Sequence, residues 1–146
     1  MDIIERVVAL ANRAQMAGDF PVGALVIFDG DIIGEGWNQK ESHHDPTAHA
    51  EVMAIRAAAA HHQSWRLTGA TLVSTLEPCP MCLGAALQAR IDTVVFLAHD
   101  WRWGACGSVM DFSSHAALNH RCHVQMHPND DVVSMMTQFF KLQGKR

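Results

Sequence analysis

The chain has 146 residues, of which 49% are hydrophobic and 18% charged, and its formal net charge is −4 at pH 7. These values predict one globular domain, residues 1–146, and the absence of any run of about 18 apolar residues excludes a helix that spans a membrane. The acidity disfavours nucleic-acid binding, which relies on Lys and Arg at phosphates, and the visible basic cluster is Lys141, Lys145 and Arg146.

The first half of the chain predicts a helix, a hairpin, a loop and a second helix. Apolar residues recur at helical spacing over 3–14, and Gly18 marks the end of that helix. Short apolar runs at 23–28 and 31–34 flank an Asp-Gly turn and predict a β-hairpin. Residues 38–47 are polar and predict a loop, and the Ala-rich residues 48–61 predict a helix.

The second half predicts strands and helices in alternation. We expect strands at 71–76, 93–98 and 123–126, and helices at 80–90 and 130–142. The elements between 71 and 98 form a βαβ unit with a parallel strand pair, and ligands of such sheets bind at the carboxyl ends of strands. The pattern predicts an α/β domain with helices on both faces of the sheet.

Residues 49–51, His-Ala-Glu, and 77–82, Glu-Pro-Cys-Pro-Met-Cys, predict a catalytic metal site. His49, Cys79 and Cys82 supply three zinc ligands, and catalytic zinc has three protein ligands where structural zinc normally has four. Glu51 lies about 200° around a helix from His49 and so cannot share its face. From the end of a helix, however, its carboxylate can reach water at the metal. We expect one Zn²⁺ per chain, with Glu51 as the general acid and base.

The cysteines favour this site over two alternatives. A lone C-x-x-C is also typical of a redox pair or of half a zinc finger. The sequence has no second C-x-x-C, and Cys106 and Cys122 are isolated and are interpreted as ordinary thiols. Pro80 predicts a helix start there, which lowers the pKa of both metal-site thiols. Four cysteines and an N-terminus without signal-peptide character predict a cytoplasmic protein.

Three stretches resemble the bacterial tRNA adenosine deaminases. They are residues 44–51 (His-Asp-Pro-Thr-Ala-His-Ala-Glu), 75–82 (Thr-Leu-Glu-Pro-Cys-Pro-Met-Cys) and 104–108 (Gly-Ala-Cys-Gly-Ser). The similarity spans nearly the whole chain and includes the Phe-Phe-Lys sequence at 139–141. The first two stretches are shared by several deaminase families, so the later ones specify the tRNA enzymes.

The resemblance implies a cytidine deaminase-like three-layer α/β/α fold with a central mixed sheet of about five strands. It also implies a homodimer that hydrolyses adenosine to inosine at the wobble position of a tRNA anticodon loop. Asn38 would contact the flipped nucleoside, Val22 would line the base pocket, and Asp100 would touch a neighbouring ribose. In plainer alternatives, Asn38 caps a turn, Val22 belongs to the core and Asp100 ends a strand. The helix-start amide near Ala50 is a further candidate for substrate binding.

The chain departs from that family at the presumed substrate rim. Lys40 stands where the family usually has proline, and His99 where arginine is common. The Trp-Arg-Trp sequence at 101–103 replaces a smaller and more polar loop. Its tryptophans would stack on splayed RNA bases or cap a pocket for a small free base.

Two other functions therefore stay open. One is a free-base or nucleoside deaminase that acts on guanine or cytosine, because guanine deaminases resemble the first two stretches. The other is a non-catalytic zinc module. The intact Glu51 argues against the zinc module, because a structural site has no use for that carboxylate.

Overall fold

The computed structural model describes residues 2–143, so Lys145 and Arg146 of the predicted basic cluster lie outside the described residues. These residues form four helices and five strands. In chain order the elements are α1 (Ile3–Met16), β1 (Gly23–Phe28), β2 (Asp31–Trp37), α2 (Ala50–His62), β3 (Thr71–Ser74), α3 (Pro80–Gln88), β4 (Thr93–Phe96), β5 (His123–Met126) and α4 (Asp130–Gln143).

The five strands form one mixed sheet in the order β2-β1-β3-β4-β5. β1 pairs antiparallel with both β2 and β3, whereas β3, β4 and β5 are parallel to one another. The predicted hairpin and the predicted βαβ unit are both present. The prediction of a central mixed sheet of about five strands in an α/β domain is confirmed.

The helices pack on both faces of this sheet, and the register of β1 with β2 shows how. Gly23 pairs with Trp37, and Ala24 pairs with Gly36. The Cβ positions of these neighbouring pairs therefore point to opposite faces of the sheet. A Cβ atom at Gly23 would meet the backbone of α1, and a Cβ atom at Gly36 would meet the backbone of α2. The two glycines therefore let α1 and α2 approach opposite faces of the same strand pair.

Several predicted boundaries differ from the structure. β2 continues to Trp37, three residues beyond the prediction, because Gly34 and Gly36 form the contact surface for α2. α2 begins at Ala50 rather than residue 48. α3 ends at Gln88 rather than residue 90, since Arg90 has a positive φ of 65° and cannot continue a right-handed helix. β3 and β4 each end two residues earlier than predicted.

The Gly36→Ala variant is expected to lose roughly 1–3 kcal/mol of unfolding free energy. An ideal Cβ there lies 2.3 Å from the carbonyl oxygen of Ala50 and 2.5 Å from the nitrogen of Ala54, and backbone atoms cannot rotate away. Urea unfolding of the two proteins measures the difference. Gly84→Ala in α3 is the control, because its Cβ meets nothing within 4 Å. The control is expected to gain up to about 1 kcal/mol from helix propensity, and equal losses in both variants would contradict the close-packing account.

Among the described residues, no helix has the length and apolar character needed to cross a membrane.

Candidate metal centre

Two helix N-termini bring the predicted metal ligands together. His49 is the N-cap residue of α2, and Cys79 is the N-cap residue of α3, where Pro80 occupies a first-turn position. The carbonyl oxygens of both N-cap residues accept the first bonds of their helices, from Met53 N–H and Leu83 N–H. Each ligand backbone is therefore fixed by the start of a helix.

The three ligand atoms have the spacing of a tetrahedral zinc site. The Sγ atoms of Cys79 and Cys82 are 3.5 Å apart, and His49 Nδ1 lies 3.6 Å and 3.4 Å from them. A tetrahedral ion with Zn–S near 2.3 Å and Zn–N near 2.0 Å requires an S···S separation of about 3.8 Å and S···N separations of about 3.5 Å. In the described part of the chain, these residues form the group whose ligand atoms lie close enough to share one ion.

The chemistry of the donors also fits zinc. The contact with the Cys82 thiol lowers the pKa of Cys79 to about 4, and the His49 ring acts in the same direction, although burial opposes both. Cys79 is therefore a thiolate at neutral pH, which is the form that binds metal. Two sulfurs and one imidazole are a typical ligand set for zinc, with one coordination position left for water or substrate.

The other two cysteines have the opposite character. Cys106 and Cys122 are both buried. Burial raises the pKa of the Cys106 thiol far above its ordinary value, and it raises the pKa of Cys122 to about 11. Both thiols are protonated at neutral pH, as expected for structural cysteines with neither metal nor nucleophilic chemistry.

Glu51 lies in the first turn of α2, two residues after His49, and is fully buried. It does not belong to the group of three ligands. A carboxylate next to a metal site, outside the ligand set and shielded from bulk water, has the position required of a proton-transfer group. Its role stays a prediction.

An open cavity of about 500 Å³ adjoins the metal ligands. This volume lies within the range of about 300–1,000 Å³ that is typical of small-molecule sites. The walls come from the loop before α2, the start of α3 and the segment after β4. The lining residues are Lys40, Pro46, His49, Cys79, Pro80, Met81 and Trp103.

The geometry agrees with comparisons of sequence and structure. The family model for the cytidine and deoxycytidylate deaminase zinc-binding region matches residues 1–98. The chain belongs to this deaminase family. It is 47% identical over 116 residues to the tRNA-specific adenosine deaminase of Haemophilus influenzae. The aligned region covers 79% of this chain and 67% of the relative. The prediction of zinc as the cofactor is confirmed at the level of the family.

Two solved structures place the chain within the family. A structure from a study of A-to-I editing by tRNA:A34 deaminases matches with 36% identity and a TM-score of 0.81, covering 84% of this chain and 95% of that one. A guanine deaminase from Bacillus subtilis matches with 32% identity and a TM-score of 0.65, covering 100% and 98%. The chain therefore groups with the tRNA-specific adenosine deaminases, and the predicted resemblance is confirmed.

Asn38 and Val22, two of the predicted substrate residues, are not among the described residues that line the metal cavity. Val22 is 1% exposed and belongs to the hydrophobic core. The Asn38 side chain donates to the carbonyl oxygen of Phe20 at 3.2 Å and accepts from the backbone N–H of Lys40 at 3.1 Å. These contacts match the plainer alternatives of core packing and turn capping, and substrate contact by either residue stays a prediction.

Asp100 and Ala50 also have structural positions. Asp100 Oδ1 accepts the backbone N–H groups of Arg102 at 3.0 Å and Trp103 at 3.1 Å. This carboxylate therefore folds the tryptophan segment back towards the metal cavity. Ala50 is fully buried as the first residue of α2. Ribose contact by Asp100 and substrate binding at Ala50 stay predictions.

The two tryptophans of residues 101–103 face different cavities. Trp103 lines the metal cavity. The ring of Trp101 lies 4.9 Å from the ring of His99 and lines a second cavity of about 370 Å³ beside α4. Arg102 lies 4.6 Å above the ring of Phe140 in α4. The three side chains of this segment are therefore divided between the linings of two cavities.

Glu77 was not singled out as a functional residue by the sequence, yet it connects the metal centre to this segment. It is fully buried, and its carboxylate accepts the backbone N–H groups of Asp100 at 3.2 Å, Cys106 at 2.9 Å and Ser108 at 3.1 Å. The hydroxyl of Ser108 donates to the same carboxylate. Hydrogen bonds therefore hold residues 100–108 to Glu77, which lies two residues before the candidate ligand Cys79.

The Glu77→Gln variant is expected to lose about 3 kcal/mol of unfolding free energy and to raise the substrate KM. An amide replaces one acceptor oxygen with a donor, so at least one buried N–H group of the 100–108 segment loses its partner. The zinc-loaded wild type and Glu77→Gln variant are compared. Urea unfolding gives the free energy of unfolding, and steady-state kinetics give the KM. Glu5→Gln, at an exposed position in α1, is the control and should change the free energy by less than about 0.5 kcal/mol. Unchanged stability of Glu77→Gln would contradict the anchoring role.

Proposed function

We propose that this chain is a zinc-dependent deaminase that hydrolyses adenosine to inosine at the wobble position of a tRNA anticodon loop. The observation that carries the proposal is the metal geometry: one imidazole and two sulfurs at tetrahedral spacing, with the buried carboxylate of Glu51 beside them. The proposed substrate is inferred from the relatives, since the Haemophilus influenzae protein and the tRNA:A34 deaminase structure are both similar to this chain over most of its length.

The protein residues would move protons around the reacting carbon. When bound by His49, Cys79 and Cys82, Zn²⁺ would supply ionisation of the attacking water near neutral pH. Glu51 would accept a proton of that water and deliver it to N1 of the adenine ring as oxygen bonds to C6. It would then pass the second proton of the water to the amino group, and the C6–N6 bond would break. Adenosine and water become inosine and ammonia, and Glu51 returns to its starting form.

The remaining predictions about assembly and location belong to the same proposal. We propose a homodimer of one-domain chains, residues 1–146, in the cytoplasm. Two adjacent apolar side chains in the segment after β4 support an interface, because Val109 is 48% exposed and Met110 is 37% exposed. Sedimentation equilibrium at several protein concentrations is expected to give twice the chain mass of 16.1 kDa. A monomer at all concentrations would contradict the dimer.

The experiment that tests the function is inosine formation in an anticodon stem-loop with adenosine at the wobble position. Guanine, cytosine, adenine and adenosine are assayed beside it for ammonia release, and zinc content is measured in the same preparation. We expect inosine in the stem-loop and little turnover of the small compounds. Ammonia release from a base with an inert stem-loop would overturn the proposal.

A second candidate, deamination of free guanine, is favoured by one observation. The Bacillus subtilis guanine deaminase is similar to this chain over its whole length, at 32% identity. The lower identity and TM-score place this candidate second. The assay of free guanine in the same experiment decides between the two.

A further inference from the structure

The metal cavity has one charged side chain on its wall that the deamination chemistry does not use. Among the described residues that line the cavity, Lys40 carries the one permanent positive charge, and none carries a carboxylate. The described ion pairs join Arg6 to Glu35 and His99 to Glu77, so neither of them uses the Lys40 ammonium. A half-buried cation at the mouth of a substrate cavity, in a chain of net charge −4, indicates an anionic ligand group.

The backbone that presents Lys40 is held in place on both sides. Its N–H donates to Asn38 Oδ1 at 3.1 Å, and its carbonyl oxygen accepts the N–H of Asp45 at 3.1 Å. The next residue, Glu41, donates its N–H to Asp19 Oδ1 at 2.6 Å, and Asp19 is fully buried. The flexible part is therefore the Lys40 side chain, and its Cα has a fixed position at the cavity.

Another part of the cavity lining is aromatic, and its backbone is also held in place. Trp103 lines the same cavity while 59% exposed, and Asp100 Oδ1 holds its backbone N–H at 3.1 Å. A cation together with an exposed indole above a metal site suits a ligand that combines a charged group with a flat ring. Nucleotides have this combination, whereas neutral bases and nucleosides lack the charge.

We infer that Lys40 binds a phosphate group of the reacting nucleotide or of its neighbour in the strand, at the mouth of the metal cavity that Trp103 also lines. The inference rests on the proposed function and names a residue that would contact the phosphate backbone of its substrate. Lys40 does not touch the reacting atoms, so it acts on affinity and specificity and leaves the chemical step unchanged. The lysine ammonium pairs with phosphate as a point charge, and a guanidinium, which is also permanently charged, would pair with it through its N–H donors.

The first test compares zinc-loaded wild type with Lys40→Met, which keeps the aliphatic chain and removes the charge. Fluorescence anisotropy gives the Kd for a labelled anticodon stem-loop over a series of salt concentrations. We expect binding to weaken about five- to tenfold at low salt, and the slope of log K against log salt to decrease by about 0.7, the value for one phosphate contact on a single strand. In turnover experiments KM should rise while kcat stays within about twofold.

Three controls separate phosphate binding from a structural effect. Lys40→Arg should retain the salt slope. Arg66→Met removes one charge from an exposed side chain that stacks on Trp65, away from the cavity, and should leave Kd unchanged. The slow turnover of adenosine, which has no phosphate, should be equal in wild type and Lys40→Met at high enzyme concentration. Turnover of AMP shows whether the nucleotide's own phosphate or that of a neighbour is bound.

Equal salt slopes for wild type and Lys40→Met would overturn the inference, as would an equal loss on adenosine and on the stem-loop. A failure of the proposed function would give a different experimental result. In that case wild type binds the stem-loop without forming inosine, and the salt comparison still decides whether Lys40 contacts phosphate.

Discussion

Replacement of Glu51 by Gln is expected to lower the rate of inosine formation by roughly 10³- to 10⁴-fold, within the contribution of general acid–base groups. An amide neither accepts the proton of the attacking water nor delivers one to the adenine ring. Because Glu51 is fully buried, bulk water has no access to take over the transfer. The measurement is single-turnover inosine formation in the stem-loop under saturating enzyme.

Zinc content distinguishes this result from damage to the site. Glu51 lies outside the group of ligands, so Glu51→Gln should hold the same one zinc per chain as wild type. Glu41→Gln, an exposed carboxylate in the loop before α2, is the control and should keep its rate within about twofold. A Glu51→Gln protein that deaminates at the wild-type rate would contradict the role of Glu51. Loss of zinc in that variant would instead assign the carboxylate to the metal.

The metal ligands could be predicted because their geometry is mostly local. Two cysteines three residues apart at a helix start bring their sulfurs together without help from the rest of the fold. His49 is 30 residues from Cys79, and no spacing rule joins them. Their pairing was predicted from the combined motifs, and the structure shows its cause: both residues are N-cap residues of helices whose N-termini meet.

The anchoring carboxylates could not be predicted from the sequence. Glu77 accepts N–H groups from residues 23, 29 and 31 positions away, and Asp19 accepts two from residues 22 and 23 positions away. Backbone amides are the same in every residue type, so no pattern of side chains signals their partners. Burial of these two acidic residues is what identifies them, and burial follows only from the completed fold.

The residues that line the mouth of the cavity were also only partly predictable from the sequence. Val22, Asn38 and Asp100 were predicted as substrate contacts from the resemblance, and each makes structural contacts in the described residues. Lys40 and Trp103, which line the cavity, had been noted as departures from the family pattern. Departures at a rim are a usable signal, since a substitution there changes what the cavity accepts without disturbing the core.

Loss of the metal is the second change with a large expected effect. Cys82→Ala should lower zinc below about one tenth of an ion per chain, and the deamination rate should fall by about 10³-fold or more. With two ligands left, one of them the Cys79 thiolate, the site no longer closes around the ion. Zinc is measured by atomic emission and the rate by inosine formation. Treatment of wild type with a chelator should give the same two losses.

The fold should survive this loss, because the sheet and its two helix layers do not depend on the metal ligands. A ligand present at about 1,000 times its Kd stabilises by about 4 kcal/mol, so the melting temperature should decrease while cooperative unfolding remains.

Cys122→Ala is the matched control. Its thiol, with a pKa raised to about 11 by burial, lies outside the ligand group and should leave both zinc and rate unchanged. Zinc retained by Cys82→Ala, or zinc lost from Cys122→Ala, would contradict the assignment of ligands. A metal-free chain that no longer unfolds cooperatively would show that zinc organises the fold as well as the chemistry, since α2 and α3 both begin at its ligands.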